Sequence, residues 1–158
     1  MVEEKRERYE LLCAQIESLV EGENNITGVL ANVSAAMYEV FSDSFFWVGF
    51  YLVKDNVLHL GPFQGPVACY RIPYGKGVCG SAWAEERTLI VPDVEKFPGH
   101  IACSSLSRSE IVVPIFDEHY QVVGVIDIDS KELNTFDHID KEYLEKIASI
   151  VANVGINL

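Results

Sequence analysis

The sequence predicts an α+β fold built on a mostly antiparallel sheet. Two amphipathic helical segments come first, then about five or six β-type segments with one short helical segment among them, and finally a closing helix. Because no helix separates each strand from the next, antiparallel pairing is favoured over parallel pairing. The chain has 158 residues, of which 49% are hydrophobic. We therefore expect one domain over 1–158, large enough to bury a substantial core.

The first part of the chain has the hydrophobic spacing of two helices. Over 4–21, apolar residues recur every three or four positions, and Gly22 ends the segment. The same spacing predicts a second helix over 26–41.

A hairpin is predicted to follow these helices. Residues 45–53 are rich in aromatic and β-branched side chains, which is typical of a strand. The polar segment 54–56 forms a tight turn into a second apolar run, 57–60. Two such runs joined by a short polar turn indicate an antiparallel pair.

The segment 61–80 is unusual because it holds five of the eleven glycines and three of the six prolines. This composition predicts loops, with a short strand over 69–72. A short helix is predicted over 78–86, directly after the glycine-rich triplet 75–77.

The last strands form a second predicted hairpin. A short buried strand is expected over 89–91, whereas 93–109 has little apolar periodicity. Strands are then expected over 111–116 and 122–129. Proline cannot donate a ladder hydrogen bond, so Pro114 predicts an edge or a bulge.

The chain is predicted to end in a helix. Apolar residues recur at helical spacing from 139 to 154. Asp137 and Asp140 stand at its start, where their charge suits the positive end of the helix dipole.

The charge balance excludes several classes of partner. Twelve Lys and Arg stand against 24 Asp and Glu, which gives a formal net charge of −12. A nucleic-acid-binding surface or an anionic-membrane surface needs a basic footprint, so both functions are disfavoured. A small substrate that carries an amino group is compatible with this charge. The charged N-terminus has no signal-peptide core and no run approaches the ~18 apolar residues of a membrane span, so we expect a cytoplasmic protein.

Three of the four cysteines lie in the polar, glycine-rich middle of the chain. They are Cys69, Cys79 and Cys103, whereas Cys13 lies on the apolar stripe of the first helix. Persistent structural disulfides are rare in a reducing cytoplasm, so the three clustered thiols indicate redox chemistry or metal binding first. Cys13 is predicted to be a core residue.

The spacing of the cysteines argues against a metal site, but it does not decide whether the three thiols are redox-active or are inert core residues. Structural zinc sites bring cysteines in close pairs, whereas the gaps here are ten and twenty-four residues. His100 lies three residues before Cys103, and one such pair is weak support for a metal site. From the residues alone, redox-active thiols and inert core thiols both remain open.

Three acidic residues are predicted to converge near the end of the second hairpin. Asp127 and Asp129 are two apart on a strand, so their side chains point to the same face. Glu110 precedes the neighbouring strand and could join them. Two carboxylates so close make one harder to ionise, which produces a proton donor near neutral pH. The alternative is that the acids only mark the exit of the strand into solvent.

Two aromatic residues share a face of the first strand. Trp47 and Tyr51 are four residues apart, an even number, so their rings lie on the same side. Core packing would explain them. The wall of a pocket for a methylthio group would use the same residue types, because sulfur packs well against aromatic rings.

These segments together resemble the free methionine-(R)-sulfoxide reductases, which are built on the GAF fold. The resemblance runs from about Trp47 to the final helix and is carried by four stretches, 61–80, 99–103, 109–114 and 124–130. It implies a central, mostly antiparallel sheet of about six strands. It also implies that the N- and C-terminal helices pack on one face and that loops cover a ligand pocket on the other.

The resemblance implies roles for the three clustered cysteines. The family reduces free L-methionine-(R)-sulfoxide rather than the protein-bound form. Cys103 matches the nucleophile, which becomes a sulfenic acid, and Cys69 matches the resolving cysteine, which forms a disulfide with it. Cys79 matches a third cysteine whose role is less settled, and Cys13 has no counterpart.

The remaining site residues follow from the same resemblance. Glu110, Asp127 and Asp129 match the acidic residues that act on the substrate, and Trp47 and Tyr51 match the aromatic pocket. The resemblance further implies a homodimer that uses no cofactor or metal and is recycled by a thioredoxin-type reductant. The alternative function is a non-catalytic GAF module that binds a small molecule as a sensor.

Overall fold

The computed structural model describes residues 2–101 and 105–156. The α+β class is confirmed, with four α-helices and six strands in the described residues. In chain order the elements are α1 (Val2–Val20), α2 (Ile26–Val40), β1 (Trp47–Lys54), β2 (Val57–Gln64), β3 (Arg71–Pro73), α3 (Gly77–Glu85), β4 (Leu89–Val91), a 3₁₀ helix (Val94–Lys96), β5 (Ser109–Phe116), β6 (Val122–Ser130) and α4 (His138–Val154).

The strands form one six-stranded sheet in the order β3-β2-β1-β6-β5-β4. Every neighbouring pair is antiparallel. The first hairpin turns at Asp55 and Asn56, whose φ values of 52° and 61° are both left-handed. Two left-handed residues at the turn match the right-handed twist of the flanking strands, which explains why this polar pair joins β1 to β2.

The alternation of side chains along the strands gives the sheet two apolar faces. On β1, Val48, Phe50 and Leu52 belong to one buried cluster, whereas Trp47 and Tyr51 belong to the other. The first cluster is covered by α1, α2 and α4. The second is covered by α3 and by loops. This confirms the predicted arrangement of terminal helices on one face and loops on the other.

Hydrogen bonds fix α1 to the beginning of α4. The buried hydroxyl of Tyr9 donates to Asp140 Oδ1. Lys5 Nζ donates to Asp140 Oδ2 at 2.7 Å. Asp137 and Asp140 form a reciprocal capping box at the start of α4, as the acidic residues there predict. No helix among the described residues is both long and apolar enough to cross a membrane.

The clearest difference from the sequence expectation lies in β2. It continues to Gln64, past the predicted end at 60. Gly61 and Pro62 read as loop residues, but the ladder with β1 persists because Gly49 admits Phe63. A Cβ at Gly49 would lie only 2.3 Å from the Cβ of Phe63. The third strand is Arg71–Pro73 rather than 69–72.

Pro114 occupies a special position in β5. This strand lies inside the sheet, but β4 pairs only with residues Glu110 to Val112. Pro114 therefore lies beyond the end of β4 and needs no ladder donor on that side. A register shift follows between Ile115 and Phe116, one residue beyond the proline. Pro114 therefore lies neither on an edge strand nor within the irregularity, but at an inner-strand position that is unpaired on one side.

Candidate active site

A pocket opens on the loop-covered face of the sheet. It is lined by Trp47 and Tyr51 of β1, Cys79 of α3, Glu110 of β5, and Asp127 and Asp129 of β6. Its volume is about 50 Å³. One ordered water needs roughly 10–15 Å³, so the pocket has room for several times that volume. The structure therefore brings these six predicted site residues to one cavity that can admit a small molecule.

Strand register explains why the three acids meet. Asp129 lies opposite Trp47 on one side and opposite Glu110 on the other. Asp127 lies two residues back on the same face, opposite Gly49. Side chains of directly opposed residues in an antiparallel pair point to the same side. All three carboxyl groups are thus directed into the pocket.

Burial and mutual repulsion favour the protonated forms of two of these acids. The pKa of Glu110 is raised well above its usual value by burial and by the charges of Asp127 and Asp129. The pKa of Asp129 is also raised well above its usual value by burial and by Asp127, although Ser107 Oγ donates to Asp129 Oδ1 at 3.1 Å and opposes this shift. The cluster consequently holds protons at a pH where exposed carboxylates are ionised.

Asp127 is the member of the cluster best able to carry negative charge. Burial raises its pKa, but hydrogen bonds donated by the Glu110 carboxyl and the Cys79 thiol favour the carboxylate. The residue is only 6% exposed. Its buried Oδ1 nevertheless has no hydrogen-bond partner in the described part of the chain. A buried carboxylate oxygen without a partner is costly, which indicates a position that a ligand satisfies.

Cys79 lies in the first turn of α3, against the acids. The close approach of α3 to β3 depends on Gly80, where a Cβ would lie 2.4 Å from the carbonyl oxygen of Pro73. Burial, Asp127 and Glu110 raise the pKa of Cys79 well above its usual value, so its thiol is protonated at neutral pH. The Cys79 sulfur and one oxygen each of Glu110 and Asp127 lie within 4.8 Å of one another. Such a donor set can surround a metal ion or an ammonium group.

Two aromatic rings of β1 line the pocket beside the acids of β6. Trp47 stacks between Phe63 and Tyr51, with ring centroids at 5.1 Å and 5.9 Å. Its indole N–H donates to the carbonyl oxygen of Pro66 at 3.0 Å. The Tyr51 hydroxyl donates to the carbonyl oxygen of Cys69 at 2.9 Å. Both side chains line the pocket, so each offers apolar ring atoms to a ligand.

The cysteines differ in their bonding. Cys69 is half-buried beside the pocket and is disulfide-bonded. Cys13 and Cys79 carry free thiols. Cys13 packs against the helical core on the far side of the sheet, where the sequence predicts it. Cys103, the predicted nucleophile, lies outside the described residues.

The segment before β5 supplies residues that the sequence did not single out as binding residues. His100, Ile101 and Ser107 line the pocket. His100 Nε2 lies 3.9 Å from Glu110 Oε1, and burial lowers the pKa of the imidazole. A neutral His100 at this distance is a polar neighbour rather than an ion-pair partner. Ser107 could not be predicted as a pocket residue, because the segment 93–109 has no apolar periodicity. The sequence drew attention to His100 only because it lies three residues before Cys103.

Comparison with known proteins gives a consistent result. A family profile described as a GAF domain matches residues 23–154. The chain is 60% identical to GAF domain-containing protein A of Dictyostelium discoideum over 94% of the chain and 93% of that protein. It is 46% identical to the free methionine-R-sulfoxide reductase of Saccharomyces cerevisiae over 93% of the chain and 85% of that protein.

A solved structure agrees with these relatives. The X-ray structure of free methionine-R-sulfoxide reductase from Neisseria meningitidis in complex with its substrate superposes with a TM-score of 0.89 at 51% identity. The match covers 92% of this chain and 87% of that one.

Proposed function

We infer the function from the premise that this chain belongs to the free methionine-R-sulfoxide reductases, a family of GAF-domain proteins. It is an oxidoreductase that reduces free methionine-(R)-sulfoxide to methionine. The observation that carries this function within the structure is the buried Oδ1 of Asp127, which has no hydrogen-bond partner among the described residues and lies in a pocket lined by aromatic side chains. An amino acid that carries a sulfur group satisfies both features.

We propose that the substrate binds as a zwitterion across this pocket. Its ammonium group donates to Asp127 Oδ1, and its methyl group packs on the ring of Trp47. The same ammonium position makes a metal ion unnecessary, and the wide cysteine spacing also disfavours one. Turnover measured before and after treatment with a chelator tests this point, and elemental analysis verifies that no metal remains. We expect unchanged turnover.

The proposed chemistry begins with attack of the Cys103 thiolate on the sulfoxide sulfur. The sulfur–oxygen bond of the substrate breaks, and Glu110, together with Asp129, supplies a proton to the departing oxygen. Asp127 helps to hold the proton that these acids share. The oxygen leaves as hydroxide, and the Cys103 sulfur is then bonded to the methionine sulfur as a sulfonium. The hydroxide attacks the Cys103 sulfur, the sulfur–sulfur bond breaks, methionine leaves with that electron pair as the reduced product, and Cys103 is oxidised to a sulfenic acid. The raised pKa values of Glu110 and Asp129 support this role, because a general acid must still hold its proton at neutral pH.

Two described neighbours support the placement of the attacking residue near this acid cluster. Ile101 lies two residues before Cys103 and lines the pocket. Ser107 lies four residues after it, also lines the pocket, and donates to Asp129. The chain therefore returns to the same cavity on both sides of Cys103.

Cys69 is proposed to resolve the sulfenic acid. Its thiol condenses with Cys103, one water leaves, and a disulfide forms. The participation of Cys69 in a disulfide supports this assignment. Cys79 is proposed to assist as a neutral thiol that donates to Asp127, since its raised pKa disfavours a thiolate there.

The rest of the cycle and its setting also belong to the proposal. A thioredoxin-type dithiol reduces the disulfide and restores both thiols. We expect the protein to act in the cytoplasm, as one domain over residues 1–158 in each half of a homodimer. Light scattering on the purified protein would test the homodimer directly.

The decisive experiment measures methionine formed from free L-methionine-(R)-sulfoxide with dithiothreitol as the reductant. We expect turnover by the wild type and by Cys13→Ser, and none by Cys103→Ser. Full turnover by Cys103→Ser would show that Cys103 is not the nucleophile. No turnover by the wild type would favour the non-catalytic binding module instead.

Selectivity tests the proposed ammonium site separately. An N-acetylated peptide containing the (R)-sulfoxide lacks the ammonium group, so the buried oxygen of Asp127 would remain unpaired. We expect the free amino acid to be reduced at least about a hundredfold more efficiently than the peptide. Comparable values of kcat/KM for the two substrates would contradict this binding mode.

A further inference from the structure

The surface around Cys69 differs in charge from the rest of the protein. The chain holds 24 acidic residues, yet 56–84 contains none of them. Within this segment, Lys76 is exposed at the start of α3, and its side chain makes no capping hydrogen bond there. This segment is therefore a local exception in a chain with a net charge of −12.

The same surface exposes large apolar side chains. Val67, Tyr70 and Tyr74 are 88%, 76% and 57% exposed. They lie on both sides of Cys69 in the sequence, and Tyr70 is its immediate neighbour. We call Val67, Tyr70, Tyr74 and Lys76 the Cys69 surface. Exposed tyrosines of this kind are enriched at the centres of protein interfaces.

The Cys69 surface has an ordered backbone. The carbonyl oxygen of Tyr70 accepts a hydrogen bond from the N–H of Leu60 at 2.9 Å. The N–H of Lys76 donates to the carbonyl oxygen of Pro73 at 3.1 Å. The ring of Tyr74 meets the ring of Trp83 edge to face, with centroids 4.8 Å apart. The backbone at Tyr70 and Lys76 and the ring of Tyr74 are therefore already ordered before a partner binds, which lowers the entropic cost of association.

We propose that the Cys69 surface is the docking site for a protein dithiol reductant whose active site has an acidic rim. This inference rests on the proposed function, which leaves an oxidised disulfide at the end of each turnover. Cys69 is disulfide-bonded and half-buried, so an attacking thiolate must be guided to its sulfur. Apolar contacts with Tyr70 and Tyr74 provide adhesion, and Lys76 attracts the acidic rim.

The reaction at this surface is a two-electron thiol–disulfide exchange. One thiolate of the reductant attacks the sulfur of Cys69 and forms a mixed disulfide, while the bond from Cys69 to its partner sulfur breaks and that sulfur leaves as a thiolate. The second thiol of the reductant loses its proton and attacks the reductant sulfur of the mixed disulfide. Cys69 is released, takes up that proton and becomes a thiol again, and the reductant leaves as a disulfide.

The test compares two reductants on the same variants. The protein reductant is thioredoxin, kept reduced by thioredoxin reductase and NADPH, and the small reductant is dithiothreitol. The variants are Tyr70→Ser, Lys76→Glu and the double variant. The controls are Tyr120→Ser, which changes a tyrosine that is 81% exposed on the β5–β6 turn, and Lys141→Glu. Lys141 is exposed in the first turn of α4, so both charge reversals place a glutamate near a helix N-terminus.

We expect kcat/KM for thioredoxin to fall about tenfold or more in the double variant, with most of the change in KM. The rate with dithiothreitol should stay within about twofold of the wild-type rate, because a small dithiol needs no docking surface. Added salt, at about 0.5 M, should remove most of the effect of Lys76→Glu, because it screens exposed charges. The controls should match the wild type with both reductants.

Three results would overturn the inference. The first is a double variant that thioredoxin reduces as fast as it reduces the controls. The second is an equal loss with dithiothreitol, which would place Tyr70 or Lys76 in the substrate site. The third is a change in oligomeric state without a change in the thioredoxin-driven rate, which would make the surface an interface between copies. If the wild type itself fails with dithiothreitol, the reductase function fails first, and this inference fails with it.

Discussion

Within the pocket, the three carboxyl groups are chemically unequal although they lie on adjacent strands. Hydrogen bonds from Glu110 and Cys79 favour a charged Asp127. Burial and the charge of Asp127 favour protonated forms of Glu110 and Asp129. One residue is thus suited to hold an ammonium group while the other two supply a proton. Pairs of acids whose environments separate their pKa values commonly divide catalytic roles in this way.

Glu110→Gln should remove the proposed proton donor and keep the shape of the side chain. We expect kcat to fall by about 10²- to 10⁴-fold, because a positioned general acid typically contributes that much. The change in KM should be small if Asp127 binds the ammonium group. Steady-state kinetics against pH would measure this, with the exposed Glu118→Gln as the control. A kcat within threefold of the wild type would show that another group donates the proton.

Asp129→Asn should stabilise the protein at neutral pH. The usual pKa of the Asp129 carboxyl group is 3.8, and its pKa in the folded protein lies well above that value. At a pH between the two values, Asp129 is protonated in the folded protein but ionised in the unfolded chain. The free energy of unfolding contributed by this group therefore falls as the pH rises through that window. Relative to the wild type, the variant should gain stability progressively as the pH rises above about 4. Urea unfolding at several pH values would measure the difference.

Asp117→Asn provides a control of opposite sign. Hydrogen bonds from the N–H groups of Gln121 and His119 lower the pKa of Asp117. A group with a lowered folded pKa stabilises the protein above its unfolded pKa, and this contribution is lost as the pH falls. Its removal should therefore cost stability at neutral pH. Equal pH profiles for the two variants would contradict the assigned shifts.

At the residue scale, the sequence could predict which residues meet but not their protonation. Strand periodicity places Asp127 and Asp129 on one face, and register adds Glu110 and Trp47. The lack of a hydrogen-bond partner for Asp127 Oδ1 among the described residues could not be foreseen, because burial and hydrogen bonding depend on α3 as well as on the strands. Ser107 was missed for a similar reason, since its contact with Asp129 depends on how an aperiodic loop folds back.

At the scale of single elements, α3 links the sheet to the pocket. Its first turn carries Gly77, Val78 and Cys79 into the pocket lining. Gly80 lets the helix lie against β3, where the carbonyl oxygen of Pro73 leaves no room for a Cβ. The carbonyl oxygen of Gly80 also accepts a hydrogen bond from the N–H of Gly75, in the loop after β3, at 3.0 Å. The position of one glycine therefore decides where the thiol of Cys79 lies relative to Asp127.

Gly80→Ala should displace α3. The new Cβ would lie 2.4 Å from the carbonyl oxygen of Pro73, and a backbone atom cannot move aside as a flexible side chain can. We expect a loss of about 1–3 kcal/mol in the free energy of unfolding and a rise in KM. Thermal unfolding and kinetics would measure both. Gly22→Ala, where a Cβ meets nothing within 4 Å but φ is +70°, would show the cost of backbone strain alone.

The elements themselves were largely predictable because their patterns are local. Apolar spacing identifies α1, α2 and α4, and the turn at Asp55 and Asn56 identifies the first hairpin. The end of β2 was not predictable from local composition, because Gly61 and Pro62 normally break strands. The ladder persists there through the contact of Phe63 with Gly49, which is a contact between distant segments.

At the scale of the whole molecule, the sheet separates stability from chemistry. Tyr9, Phe41 and Tyr143 form part of the helical layer on one face. The pocket and its acids occupy the other face. A change in the helical layer should therefore affect folding without altering the reaction, provided that the strands between them keep their register.

Tyr9→Phe tests this separation. The variant removes the hydroxyl that donates to the buried Asp140, which should cost about 1–3 kcal/mol in the free energy of unfolding. We expect kcat/KM for the sulfoxide to remain unchanged at a temperature where both proteins are folded. Tyr120→Phe, at an exposed position, is the control and should change neither quantity. A loss of activity in Tyr9→Phe would show that the two faces are coupled.

The short third and fourth strands have a consequence for how copies of this protein meet in a crowded solution. β3 and β4 stand at the two borders of the sheet, and each has three residues. A neighbouring chain can therefore add few ladder hydrogen bonds to either border. Where β4 stops, Pro114 has no N–H to offer an intruding strand. The fold thereby limits runaway strand addition and the aggregation that follows from it.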